Sequence, residues 1–378
     1  MKKIILIFIL LLVLSAKPVA AIYDPLSHTN NKFGIHILFT SEVSEASTLI
    51  NSSGGDWGYV TIPIKSSDRD LVKWQKFMDD CKKYHIIPII RLATDGDFFD
   101  KVSWSKPTDY DVLDFANFLN NLSWPTKNRY IVVFNETNRG DEWGGTPNAS
   151  EYADILNYAV DIFKEKNKDF FIIMAGLDNA SINIPGSSIN NYTYMYQMED
   201  SDPGIFSKID GIASHSYPNP AFLMPPSKSN TGIYSFYYQR QLAKELSGKN
   251  LPVFITETGW SSDAVSESTQ SIYYINAFSD YWNDSGIVAV TPFLFHAEQG
   301  SFSNFSFIKN TSKTKMYDIY KNFPKEKGDP ELAFDNTKEN KLNSNLPFED
   351  FKRTTQIDNV FSGVNNSAKS FFKWLLKL

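Results

Sequence analysis

The sequence predicts a (β/α)8 TIM barrel, followed by a polar C-terminal extension and a short amphipathic helix. Three observations lead there. Eight short apolar runs recur along the chain, each ends in polar residues, and each is followed by a stretch with helical periodicity. Near-continuous apolar strands belong to a parallel sheet covered on both faces, and strands alternating with helices make βα units. Eight such units in a row point to a closed barrel. A doubly wound open sheet is the alternative. It wants a Gly-rich phosphate loop after the first strand, and "FGIHILFTSE" has none.

In order, the runs are "FGIHILF" (33–39), "YVTIPI" (59–64), "IIPIIRLA" (86–93), "YIVVFNE" (130–136), "FFIIMAGLD" (170–178), "GIASHSY" (211–217), "VFITETGW" (253–260) and "IVAVTPFLFH" (287–296). Between them, "SEYADILNYAVDIFKEKNK" (150–168) sets Tyr152, Ile155, Leu156, Ala159 and Phe163 on one stripe, with lysines at its C-terminal end. "DYDVLDFANFLNNL" (109–122) does the same with Val112, Phe115, Phe118 and Leu119. The single cysteine, Cys81, excludes intrachain disulfides. It shares helical register with Leu71, Trp74, Phe77 and Met78 and reads as a small buried hydrophobe.

The two ends read differently from the middle. Lys2-Lys3, the apolar run from Ile4 to Leu14 and the small residues of Val19-Ala20-Ala21 make a signal peptide ending near Ala21. That run is short for a bilayer span. A secreted or cell-surface protein is therefore expected, with the barrel over 22–324, a polar linker over 325–356 and an amphipathic helix over 357–378. In the last segment, Ile357, Val360, Phe361 and Val364 open an apolar stripe opposite Lys369, Lys373 and Lys377. Such a helix suits contact with an anionic membrane surface or docking on the barrel, and Gly363 with Asn365-Asn366 favours docking. A net charge of −6 argues against a nucleic-acid partner. The 15% aromatic content suits carbohydrate stacking and a large core alike.

In a barrel of this kind, function gathers at the C-terminal ends of the strands. The residues there are His36, Lys65, Arg91, Asn135 with Glu136, Asp178, His215 with Tyr217, Glu257, and His296. "VVFNE" and "VFITE" each set a Glu just past a buried run. A carboxylate in that setting is costly unless it is solvated, paired or used. On strands 4 and 7 the two would face each other across the barrel mouth. Two carboxyls in one cleft, one acting as acid/base and the other as nucleophile, are the apparatus of glycoside hydrolysis. Trp57, Trp104 and Trp143 fall in loop positions, as sugar platforms or as hydrophobic plugs. Trp143, in "RGDEWGG", is the best placed for substrate, and Glu142 beside it reads as a solvated charge.

At these residues the chain resembles a known family. Asn-Glu closing strand 4 and Glu closing strand 7 is similar to the pattern of the large clan of retaining (β/α)8 β-glycoside hydrolases, the "4/7" enzymes, which includes cellulases, mannanases, xylanases and β-glycosidases. The resemblance covers roughly residues 33–300. It implies that Glu136 is the general acid/base and Glu257 the nucleophile, that Asn135 binds the substrate 2-hydroxyl, that Tyr217 orients the nucleophile and that His215 is its neighbour. Two departures matter. Many members carry an Arg ending strand 2 and a Trp ending strand 8; here Lys65 ends strand 2, and "PFLFHAEQ" lacks Trp. Arg91 either does the Arg's work from strand 3 or pairs with Asp95. Trp260 or Phe295 is expected to replace the missing sugar platform, with His36 and His296 also facing substrate. The expected partner is a carbohydrate, bound by a monomer without a cofactor.

Two other classes compete with this reading. A metal-dependent barrel hydrolase would use His36, His215, His296 and a carboxylate, but strand 1 lacks the paired His-X-His such sites commonly use. A non-catalytic carbohydrate-binding or cell-surface protein has no need of two facing acids.

Overall fold

The computed structural model describes residues 22–96, 103–298, 300–309 and 311–333. The expected signal peptide, C-terminal helix and residues 334–356 of the expected linker lie outside these. Eight strands form one parallel sheet in sequence order: β1 Gly34–His36, β2 Gly58–Lys65, β3 Ile86–Ala93, β4 Arg129–Val133, β5 Phe170–Met174, β6 Gly211–His215, β7 Val253–Glu257 and β8 Ile287–Val290. A bridge from Phe33 to Val290 and a bond from His36 N to Pro292 O (3.0 Å) join the first strand to the last, so the sheet closes into the expected barrel.

Helices cover the outside. Between β3 and β4 lies Asp109–Asn120, whose N-terminus is closed by a reciprocal Thr108–Asp111 box. Between β4 and β5 lies Ala149–Lys166, capped by the Asn148 side chain, with Tyr152, Leu156, Ala159 and Phe163 fully buried as the periodicity predicted. Cys81 is buried beside Trp74, Phe77 and Met78 in Leu71–Tyr84, while Leu71, expected in the same register, starts that helix and is exposed. Inside the barrel, Tyr59, Ile87, Ile89, Tyr130, Phe171 and Phe254 fill the lower part. The interior is thus a packed core below and a polar mouth above.

Most strands are shorter than the apolar runs that predicted them. β4 stops at Val133, before Asn135 and Glu136. The cause is visible at Phe134. Tyr130 and Val132 face the barrel interior while Ile131 and Val133 pack outward. Strict alternation would send Phe134 inward and Asn135 outward. Instead Phe134 has φ 69° and packs outward on Phe115 and Trp143. That one left-handed residue reverses the phase and delivers Asn135 into the mouth.

Residues 325–333, expected to begin a linker, lie against the opposite face. Gly328 N bonds Asp56 O (2.9 Å), and Lys127 N bonds Glu331 O (2.8 Å), tying this segment to the loops that precede β2 and β4.

Candidate active site

Glu257 ends β7 and projects into the mouth, where each of its oxygens has a donor. Arg91 Nη1 lies 2.6 Å from Oε1, and the Tyr217 hydroxyl donates to Oε2 at 3.0 Å. Between the two options for Arg91, the structure selects the active site over Asp95. The same Nη1 also donates to Asn135 Oδ1. Burial, with Glu257 next to it, pushes the Tyr217 phenol well above its usual value, so the hydroxyl keeps its proton and stays a donor. Phe222 and Phe305 hold that ring edge-on.

Glu136 sits two residues past Phe134 with φ 36°, another non-glycine residue in the left-handed region. Its backbone N–H is pinned to Gly176 O at 2.9 Å. His215 Nδ1 lies 2.8 Å from Oε1, and Arg139 Nη1 donates to Oε2 at 2.9 Å. Burial alone would raise this carboxyl. Arg139 and His215 overcome it and hold Glu136 below the ordinary carboxylate range. The charge on Glu257 raises Glu136, but Arg139 and His215 together outweigh it.

His215 stands between the two acids. It pairs in register with Glu257 where β6 shifts register at Ser214/His215, and its Nδ1 is 3.8 Å from Glu257 Oε2. Burial would lower its pKa, but the two glutamates outweigh burial and raise it. The ring lies hard against Gly176: a β-carbon there would stand 2.2 Å from its Cδ2. An oxygen of Glu136, Nδ1 or Nε2 of His215 and an oxygen of Glu257 all lie within 4.8 Å of one another. Those three could form a metal site by donor type. A cation there would first have to displace Arg91 from Glu257 and Arg139 from Glu136, so the donor set fits an acid pair better than a metal centre. The three-histidine site of a metal-dependent hydrolase does not assemble among the described residues. His36 is fully buried, with Nε2 3.7 Å from Glu257 Oε1, and is held neutral by burial and by Arg91. It touches the nucleophile candidate rather than open cleft. His296 forms a backbone bridge to Ile308, and its imidazole acts on Glu42 rather than on the acid pair.

Three tryptophan expectations are corrected. Trp260 is 1% exposed and packs among Tyr274, Tyr273 and Trp282 behind the strand, its Nε1 donating to Met224 O at 2.8 Å. Trp143 is 1% exposed, wedged against Phe134 and Tyr152. Neither offers a face to a sugar; both are large apolar rings that the core claims first. Trp57 precedes β2, on the face opposite the mouth, and stacks on His85 at 4.6 Å. Trp104 remains half-buried beneath Lys65. Phe295, the other replacement platform, is buried as well.

Two residues of the mouth escaped the sequence reading. Arg139 is one; Glu136-x-x-Arg139 is a turn-spaced charge pair that reads as surface chemistry until Glu136 is known to be buried. It also lines, with Asp141, Asp178, Ile182 and Ser187, a cleft of about 520 Å³ between the loops that follow β4 and β5. Glu142 is the other, and it is not a solvated charge. It is half-buried, and burial with the charge of Glu136 pushes its carboxyl up to about 7.

No protein-family model matches the chain, and no curated protein matches it. Solved structures do. A family 39 glycoside hydrolase from Bacteroides cellulosilyticus WH2 matches over 79% of this chain and 64% of its own, at 16% identity and TM-score 0.53. This chain thus spans just under two thirds of that protein's length. A GH5_18 structure from Streptomyces cattleya in complex with GlcNAc matches over 78% of this chain and 80% of its own, at 13% identity and TM-score 0.53. A GH128 endo-β-1,3-glucanase from Pseudomonas viridiflava matches over 78% of this chain and 99% of its own, at 14% identity and TM-score 0.50. At these identities the likeness establishes the fold, the (β/α)8 barrel; the chemistry rests on the site.

Proposed function

We propose that the protein is a retaining β-glycoside hydrolase with Glu257 as nucleophile and Glu136 as acid/base. One observation carries this reading: oxygens of the two glutamates lie within 4.8 Å of each other at the mouth. Retaining enzymes hold their carboxyls about 5–5.5 Å apart, while inverting ones leave about 6.5–9.5 Å for a water. The fold shared with glycoside hydrolases supports the class. The leader-like segment at 1–21 supports action outside the cytoplasm, on a β-linked carbohydrate.

In this reading Glu257 attacks the anomeric carbon while Glu136 gives its proton to the leaving oxygen. Arg91 and Tyr217 fix the attacking carboxylate in place. The Glu136–His215 pair carries the proton, and a sugar entering the mouth displaces Arg139 Nη1 from Glu136 Oε2, which lets that carboxyl take it. Once Glu257 is esterified its charge is gone. Glu136, now ionised, takes a proton from the water that attacks the glycosyl-enzyme and releases Glu257. Asn135 offers its amide to the 2-hydroxyl.

The double cation on Glu136 favours a second reading, a carbohydrate-binding protein in which that residue never acts as acid. One experiment separates them: full-length protein against aryl β-glycosides and β-linked polysaccharides, with Glu257→Ala alongside. Turnover lost in the variant establishes the hydrolase and names the sugar. Equal glycan affinity of both proteins with no turnover on any substrate sinks it in favour of the binder.

A further inference from the structure

Asn179 lies in the loop after β5 and is 1% exposed, so it offers nothing to a ligand. Its carboxamide instead bonds across to the loop after β6, where Tyr217 sits. We propose that Asn179 is a positioning residue for Tyr217: it ties the Tyr217 backbone to the β5 loop and so keeps the phenol hydroxyl on Glu257. The proposal rests on the hydrolase reading and adds a residue to it.

Tyr217 needs such a tie. β6 ends at His215, two residues earlier, so no strand ladder fixes the Tyr217 backbone. Its carbonyl accepts from Asn219 N at 2.9 Å, but that bond lies inside one turn and shapes the turn without placing it. Asn179 Nδ2 is the donor from outside, 3.0 Å from the same carbonyl. It also lies 3.3 Å from Gly232 O and 3.1 Å from Ser235 Oγ. Backbone carbonyls only accept, so the atom facing two of them is the amide nitrogen. The amide oxygen then faces the other way and accepts from Asn219 Nδ2 at 2.7 Å. Both ends of the carboxamide are held, and its orientation is single.

The same network reaches Glu257. Ser235, the first residue of the helix Ser235–Ser247, donates to Ser216 Oγ at 3.1 Å. Ser216 N donates to Glu257 O at 3.1 Å, and Ser216 O accepts from Thr258 Oγ1 at 2.6 Å. One partner of the Tyr217–Glu257 bond therefore hangs on Asn179 directly, and the other through Ser235 and Ser216. Both serines are fully buried, so water does not compete for these bonds.

Asn179 is itself anchored. Asn138, from the loop after β4, takes both backbone groups of the preceding residue: Asp178 N donates to Asn138 Oδ1 at 3.0 Å, and Asn138 Nδ2 donates to Asp178 O at 3.1 Å. The carboxamide is placed when the barrel folds, not when substrate binds. Phe222 and Phe305 also hold the phenol ring, edge-on at 5.0 and 5.9 Å, but apolar contacts lack the direction of a hydrogen bond. Direction matters here, because a misplacement of about 1 Å at a reacting site costs up to about a hundredfold in rate.

The test is a double-mutant cycle in the full-length protein: wild type, Asn179→Ala, Tyr217→Phe and the pair, on an aryl β-glycoside that the wild type turns over. Asn179→Ala is expected to lower kcat/KM roughly tenfold. Added to Tyr217→Phe, which has no hydroxyl left to position, it should cost less than about twofold. Equal losses in the two backgrounds overturn the proposal, since a residue that only supports the barrel would act alike in both. A second measurement needs no turnover. In a crystal structure of Asn179→Ala, the Tyr217 hydroxyl should lie beyond about 3.5 Å from Glu257 Oε2, with β6 and β7 in place. A hydroxyl still bonded there overturns the proposal even if the hydrolase reading survives. No wild-type turnover alongside a displaced hydroxyl overturns the hydrolase reading and leaves the hold of Asn179 on Tyr217 established. If Asn179→Ala does not fold, Asn219→Ala, which frees the amide oxygen and leaves Asn179 in place, decides by the same two readouts.

Discussion

Arg91 and Glu257 are 166 residues apart in sequence and meet at 2.6 Å across the barrel mouth. Arg91 comes from β3 and Glu257 from β7, so the contact exists only because the sheet has closed. It sets the division of labour between the two acids. Glu257 receives a guanidinium and a phenol, both fixed donors; Glu136 receives a guanidinium and an imidazole, of which the imidazole can exchange a proton.

Arg139→Gln removes the guanidinium whose charge opposes burial most strongly at Glu136. Burial then prevails, and the Glu136 pKa rises. For an acid/base residue, a higher pKa moves the alkaline limb of kcat/KM to higher pH. Stability should fall on the order of 1–2 kcal/mol, since Arg139 is a third exposed and Glu136 keeps His215. An alkaline limb that shifts down or stays put removes Arg139 from the control of Glu136.

His215 makes a pH-dependent contribution to stability. Its folded pKa is raised because Glu257 and Glu136 outweigh burial. A group whose folded pKa is raised stabilises fully below its unfolded value, about 6.5, and that gain is lost as pH rises through the folded value. The thermal midpoint of the wild type should therefore fall between pH 6 and pH 9 by more than that of His215→Asn. Parallel curves for the two proteins would refute the pairing.

Gly176→Ala tests the packing behind His215. The added carbon would overlap the imidazole, and the ring is fully buried with no solvent to move into. The Glu136–His215 bond should break, cutting kcat roughly a hundredfold, the general acid–base scale, while the barrel stays folded. A crystal structure of the variant with His215 unmoved would contradict this.

Trp143→Ala distinguishes a plug from a platform. Truncating a fully buried Trp costs about 3–5 kcal/mol, read by urea unfolding. A sugar platform would instead lose affinity with little change in stability. Wild-type stability with weakened glycan binding would restore the platform role.

How much of this was legible beforehand differs by element. Eight apolar runs ending in polar residues were enough for the barrel, because burial on both faces leaves a continuous apolar run that needs no partner to be read. Asn135 and Glu136, Glu257, Arg91, His215 and Tyr217 were found as polar residues where such runs stop, and all lie at the mouth. Trp143 and Trp260 misled for the opposite reason: an aromatic ring near a strand end looks the same in sequence whether it faces the cleft or the helices behind it.

The sequence by itself determined the strand order, the barrel and the polar residues available at its mouth, since those depend on local hydrophobic pattern. The tertiary structure alone decided the roles. Which way Asn135 faces depends on a left-handed turn at Phe134. Which charge Glu136 carries depends on Arg139 and His215 arriving from a loop and a distant strand. Whether Glu142 is solvated depends on where Trp143 finds its pocket. Each is a question of distance, burial and neighbouring charge, and those quantities exist only once the chain has closed on itself.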